Sequence, residues 1–537
     1  MPAFPVRALA ERGMILDQPD FELGPNAFSG GSNVRFSDGA VRRSSALRTV
    51  RTFTAGARAF AGFSQSGGFD RLFVGMDDGN ISEVDSASVL TSRSVAGLVP
   101  AADVRQWTYD TLGDVIYMNK VTHVPQYFLG GAATQFVVLP GWDSTHRAAA
   151  IAASRDQVFA VNITKGVSTF PNTVKISDYA LYGSPPATWD PLAAGVANEI
   201  TLAGARSPLV GCRDLDGVMI VYAERQCWRF TFTGDTSNSA QNLWVNEPLS
   251  LDKGLISPNA AAYYERRHYA MGVDDIWTHD GTSTASIADE KVRRWVFRNL
   301  DASKAFRCFS AVDPNTGEII FAFPSKDPDA RFTATVGCNR AAIYRPRGGT
   351  WTLIDLPDCT GAGQANFNPS LTWTTVVPTW VTMGGTWADL DDGFARSLAV
   401  LSALGATKNI LAVDEATNGR VPFPADAATN LSAYVIRTGY DLDELAAGLS
   451  LYKIVSTIIP QIAVMDPTAF PRFRLGTSLY PRGPYTWGEW KTFDPVTDHR
   501  VDFNKGGRYL GIHLELDEPV DFEWSGFDAE IIPGGNR

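Results

Sequence analysis

Long apolar runs are missing from this sequence, and so are most signatures of bond-making chemistry. No stretch approaches the roughly 18 apolar residues that a membrane-spanning helix needs. The opening MPAFPVRALAERGM lacks the apolar core of a secretory leader. The chain is expected to be made in the cytoplasm, with no membrane insertion. Cysteine is scarce: Cys212, Cys227, Cys308, Cys338 and Cys359 make an odd count without CxxC spacing. A disulfide framework is not expected, and the five read as reduced and mostly buried. The six histidines are dispersed with no HExxH pattern, so no metal is expected. There is no GxSxG elbow, phosphate-binding loop or dinucleotide fingerprint, and no cofactor is expected. Basic charge is also short, with 47 Lys and Arg against 58 Asp and Glu and a net charge of −11. Such a surface repels phosphate backbones, which disfavours specific nucleic-acid binding.

Short alternating runs bounded by turn residues are abundant. Aromatic residues make up 11% of 537, enough to bury a large core and exclude disorder. Residues 71–84 read as strand, Asp78-Gly79 turn, strand. Residues 268–284 repeat that form around Asp280-Gly281, and 309–323 around Pro314 to Gly317. The unit recurs every 40–50 residues or so, the blade period of a β-propeller. The fold class predicted is all-β: a β-propeller of about six to eight degenerate blades plus a C-terminal β-sandwich-like domain, with few short helices. A stack of β-sandwiches is the rival architecture.

The domains expected are an N-terminal arm (1–30), a propeller platform (31–365), a Trp-rich connecting region (366–430) and a sandwich-like domain (431–537). Helices are predicted over 289–300, where Val292, Trp295, Val296 and Leu300 share a face, and over 389–401. Trp373, Trp380 and Trp387 recur at intervals of seven, but intervening Thr, Val, Pro and Gly argue for extended structure.

No catalytic residue is predicted. Asp77-Asp78, Asp274-Asp275 and Asp391-Asp392 are adjacent pairs, whose side chains on a strand point to opposite faces; glycosidase chemistry needs carboxylates that face each other. They read as turn residues. Arg42-Arg43, Arg266-Arg267 and Arg293-Arg294 read as salt-bridged surface arginines, since no Asp-box accompanies them. Asp274, Asp275 and Asp280 lack the spacing of a calcium loop.

Four stretches, in order, resemble one family. The first is Gly31-Ser32-Asn33-Val34-Arg35-Phe36-Ser37-Asp38-Gly39-Ala40-Val41-Arg42-Arg43, by itself merely a hairpin with an Asp-Gly turn. The others are 272–281 with 291–301, then 311–325, then 500–514 with 522–530, where Gly507-Arg508 precedes an alternating strand. Together they resemble the tail nozzle, or tail hub, proteins of short-tailed bacteriophages. The Trp repeat fits that family's connecting region. Asn504-Lys505 stands where the family usually carries a basic residue directly before the Gly-Arg step.

The resemblance implies a homohexamer in the virion tail, below the portal and against the tail adaptor (head-to-tail connector) ring. Tail fibres or tailspikes would dock outside. DNA would pass through the lumen without specific binding, and the tip would help retain the packaged genome. Gate loops are expected at 169–186 and 355–378. A propeller enzyme or glycan-binding protein, and a monomeric propeller scaffold, are the alternatives.

Overall fold

The structure, a computed structural model, describes residues 3–64, 71–130, 133–234, 243–367, 396–414, 432–442, 452–518 and 520–533. Strand accounts for 53% of it and helix for 4%, so the all-β expectation holds.

Five consecutive four-stranded antiparallel sheets run along the chain, each joined strand to next strand. They are blade 1 (from Ala57–Phe63 to Leu90–Ser92), blade 2 (Thr108–Leu112 to Val137–Val138), blade 3 (His146–Ser154 to Asn198–Thr201), blade 4 (Leu209–Leu215 to Trp244–Ser250) and blade 5 (Ala261–Tyr264 to Thr284–Ser286). A seven-stranded sheet follows and divides into two blades at the long strand Thr350–Ala365. Its first half closes blade 6, pairing with Cys338–Arg345; its second half opens blade 7, pairing with Ser397–Ser402. The bend between them carries Asp358 at φ 50° and a register shift after Cys359.

Blade 7 is completed by a strand from the other end of the chain. Ala46–Phe53, which precedes blade 1, pairs with Lys408–Asp414. The ring is thereby closed by hydrogen bonds rather than by packing alone. Separate apolar cores lie between blades 1 and 2 (Phe73, Trp107, Phe128), 2 and 3 (Tyr117, Ile151, Trp189), 3 and 4 (Phe159, Val221, Trp244), 6 and 7 (Ile320, Leu356, Val400), and 7 and 1 (Phe60, Val74, Leu401). One larger core joins blades 4, 5 and 6 and runs on without a break into the second body. Seven blades therefore form a closed circle, within the expected six to eight.

The joint between blades 7 and 1 is tight. A Cβ on Gly62 would stand 2.3 Å from the Gln364 carbonyl oxygen and 2.6 Å from the Ala365 Cβ. Gly62→Ala is expected to cost about 1–3 kcal/mol by overpacking, read as a lower unfolding midpoint.

The second body is a β-sandwich. One sheet runs Val501–Gly507, Lys453–Val464, Phe522–Pro533, Ala40–Arg43, Val34–Ser37, with Ala3–Arg7 also on Phe522–Pro533. The other runs Thr486–Trp487, Arg472–Ser478, Tyr509–Leu516, Ala433–Asp441, Gly30–Ser32, with Lys491–Thr492 on Arg472–Ser478. Phe473 meets Trp524 edge-on at 5.9 Å between the sheets.

Several expectations are corrected here. Residues 1–30, expected as an arm, supply sandwich strands: Ala3 stands opposite Glu530 and Gly30 opposite Ile436. Residues 31–43, assigned to the platform, also belong to the sandwich. Residues 397–401, expected as the end of a helix, lie in the strand Ser397–Ser402, a central strand of blade 7, because both neighbouring edges are open to it. Two strands of that blade thus fall inside the expected 366–430 connector; Trp373, Trp380 and Trp387 lie outside the described residues. The predicted helix is shorter, Arg293–Asn299, because Asp17 from the N-terminal segment accepts hydrogen bonds from the Arg294 and Trp295 amides at 2.7 and 2.9 Å and fixes its start there. Of the expected gate loops, 169–176 is part of the strand Ser168–Ile176 and 355–365 part of Thr350–Ala365; residues 368–378 lie outside the described residues. Pro171 misled the reading: it sits where the register shifts in blade 3, a bulge that tolerates proline.

Candidate functional site: the domain junction and the propeller axis

The segment that carries the first family-like motif sits between the two bodies. Asn33 adopts φ 60°, a left-handed conformation that asparagine tolerates better than most residues. Its amide nitrogen Nδ2 donates to Asp355 Oδ2 at 3.1 Å and to the Ser432 carbonyl at 3.0 Å. Its Oδ1 accepts from the Asp355 backbone amide at 3.0 Å. Asn33 thus clamps blade 6 and the sandwich at once. Ser32 Oγ donates to Asp355 Oδ2 at 3.0 Å and accepts from Arg340 Nη1 at 3.2 Å. Arg340 also pairs with Asp355 at 2.6 Å and with Asp327 at 2.7 Å, and all three side chains are at most 9% exposed. Every acid oxygen in this knot is engaged, which is what makes a buried ion cluster tolerable.

The second location is the propeller axis. The seven innermost strands run side by side around it, and its two ends differ. At their N-terminal ends Gln106, just before blade 2, reaches across the ring. Its Nε2 donates to the Arg307 carbonyl at 2.8 Å, beside blade 6, and to the Thr360 carbonyl at 3.3 Å, in the strand that opens blade 7. Its Oε1 accepts from Asn259 Nδ2 at 3.2 Å, at the entrance of blade 5. Asn259 also donates to the Trp107 carbonyl at 2.8 Å. Side-chain amides thus bridge blades 2, 5, 6 and 7 across this end. Gln106→Ala is expected to cost about 1–3 kcal/mol, through the buried groups left unbonded, in equilibrium unfolding.

At the other end the inner strands of blades 2 to 5 finish around an open pocket of about 320 Å³, lined among others by Asp110, Ser154, Arg213, Asp214 and Tyr263. Burial raises the Asp110 carboxyl above its usual range, against hydrogen bonds from the Ala153 and Thr111 amides. Between blades 4 and 5, Tyr222 Oη lies 2.7 Å from both His268 Nδ1 and His279 Nε2. Since the Gly281 amide donates to His279 Nδ1, that ring must carry its proton on Nε2 and give it to Tyr222. Tyr222 then donates to His268, whose Nε2 donates to the Asp214 carbonyl at 2.9 Å. Burial lowers the pKa of His279 to about 4 and that of His268 well below its usual value.

The acidic and basic doublets do not converge. Asp77 pairs with Arg58, Asp274 with Arg225 and Asp275 with Lys253, each at its own blade; Asp391-Asp392 lies outside the described residues. Arg42 pairs with Glu523, Arg266 with Asp216 and Arg293 with Asp289. Asp280 is engaged by Thr282 and Ser283 within its own turn. The five cysteines are free and buried. Among the described residues no group of three or more His, Cys, Asp or Glu has metal-binding geometry, and no helix is long and apolar enough to cross a membrane.

No family model matches the chain, and no curated protein matches it. Among solved structures it is similar to the computationally designed Ika8 protein, at 12% identity and a TM-score of 0.36, covering 69% of this chain and 100% of that one. It is also similar to the WD40 β-propeller domain of Doa1, at 9% identity and a TM-score of 0.38, covering 68% and 96%. Likenesses this distant say nothing of function. The propeller assignment rests on strand order and on the closed circle of cores.

Proposed function

We propose that the chain is a non-enzymatic structural subunit of a short-tailed phage virion: a tail nozzle that assembles as a homohexamer below the adaptor ring. The observation that carries this reading is the coincidence at 31–43. The residues that resemble the family's opening are the ones that lock the sandwich to the propeller, through Ser32, Asn33 and Asp355. Two β-bodies joined by a shared apolar core and a buried ion cluster suit a part that bears load. In this reading the DNA lumen lies between copies, because Gln106 bridges the propeller's own axis. The net charge of −11 suits a wall past which DNA slides. Fibres or tailspikes dock on the outside, and the protein is assembled in the bacterial cytoplasm.

Co-expression with portal and adaptor proteins of a short-tailed phage tests the reading. Particles containing this chain are expected to show sixfold symmetry by electron microscopy. A chain that stays near 58 kDa and never joins such particles would sink it.

A further inference from the structure

We propose that the open end of the propeller axis binds a small sugar acid, a hydroxylated carboxylate of the hexuronate class. The pocket's volume of about 320 Å³ stands at the small end of ligand sites and suits one sugar residue rather than a chain.

Arg213 is the telling residue. It lines the pocket half-buried beside Asp110, whose carboxyl feels its charge, and no described residue forms a salt bridge with it. The guanidinium thus keeps donors for a ligand, and its planar fork matches the two oxygens of a carboxylate. The aspartates beside it are already fixed. Asp110 accepts from the Thr111 and Ala153 amides, both at 2.8 Å. Asp214 accepts from the Ser154 hydroxyl and from the Gly217 amide at 3.1 Å. Each carboxylate oxygen keeps a lone pair for a further donor, so the pair presents rigid acceptors for sugar hydroxyls. Their negative charge disfavours a phosphate dianion, while a monoanion facing Arg213 and Arg155 is tolerated. Tyr263 stands at the rim, 43% exposed, with its hydroxyl held on Asp216 at 2.6 Å; its ring offers a face to the sugar's C–H groups.

The inference is independent of the nozzle reading, and either can fail alone. The test is calorimetric titration of the full chain with glucuronate, glucose and inorganic phosphate. Glucuronate is expected to bind saturably, and at least about tenfold more tightly than glucose or phosphate. Arg213→Lys keeps the charge but loses the fork, and should weaken glucuronate by about tenfold or more at an unchanged melting temperature. Asp110→Asn should weaken it as well. Absence of saturable glucuronate binding, equal binding of glucose, or tighter binding of phosphate would overturn the proposal. The wild-type ligand series decides even if a variant fails to fold.

Discussion

Asp355→Ala should lower the stability of the protein by about 3–5 kcal/mol, the largest effect expected of any single side-chain truncation here. The reason is what the carboxylate leaves behind. Of its two acids Arg340, a nearly fully buried guanidinium, would keep only Asp327, at the cluster's other side. Ser32, the Asn33 amide and the Arg331 backbone amide would each lose an acceptor. These groups belong to both bodies, so the loss should loosen their junction. The apolar core that the bodies share remains, so chemical denaturation is expected to stay a single transition at a lower midpoint. Asp327→Asn keeps a hydrogen-bonding oxygen and touches fewer partners, so its effect should be clearly smaller. If Asp355→Ala unfolds at the wild-type midpoint, the ion cluster adds nothing to the fastening of the bodies.

Acidification should weaken the fold well before the carboxylates titrate. His279 is held neutral by burial, with a pKa of about 4, against about 6.5 in an unfolded chain. Between those values the unfolded chain takes up the proton and the folded one does not. Stability is therefore full above about pH 6.5, falls as pH drops through the window, and stops falling from this cause below about pH 4. His279 alone should account for about 2–3 kcal/mol between pH 7 and pH 4.5. His513, lowered to about 3 by burial and by Arg474 and Arg472, acts in the same direction. Unfolding free energies at the two pH values measure the drop. His279→Gln should cost stability at pH 7, because the Tyr222 hydroxyl and Gly281 amide lose their partner, yet flatten the pH dependence. A variant with the wild-type slope would show that the His268, Tyr222 and His279 chain is not the source.

Local features of this fold were legible in the sequence and distant ones were not. The turns at Asp78-Gly79, Asp280-Gly281 and Pro314 to Gly317 were read correctly, because hairpin chemistry is local. The pairing of Ala3–Arg7 with the last strand spans nearly the whole chain, and nothing in its five residues announces the partner. The strand Ser397–Ser402 was misread because a short apolar run has no period that separates helix from strand. Gln106 carries no pattern at all; a single amide in a loop acquires meaning only when blades 5, 6 and 7 come round to meet it. Arg213 and Asp214 left a trace, being the charged pair in an inner strand whose other neighbours are apolar or glycine. The motif at 31–43 read as a plain hairpin, and its hairpin register is indeed ordinary. Its distinctive residues are the two before the first strand, Ser32 and Asn33, whose partner Asp355 lies more than three hundred residues on.

Cryo-electron microscopy of the assembled particle tests the central claim most directly. The account predicts six copies in a ring, with a lumen wide enough for duplex DNA between the copies and each propeller axis bridged at Gln106. A particle without sixfold order, or one whose DNA path runs through a propeller, would contradict it.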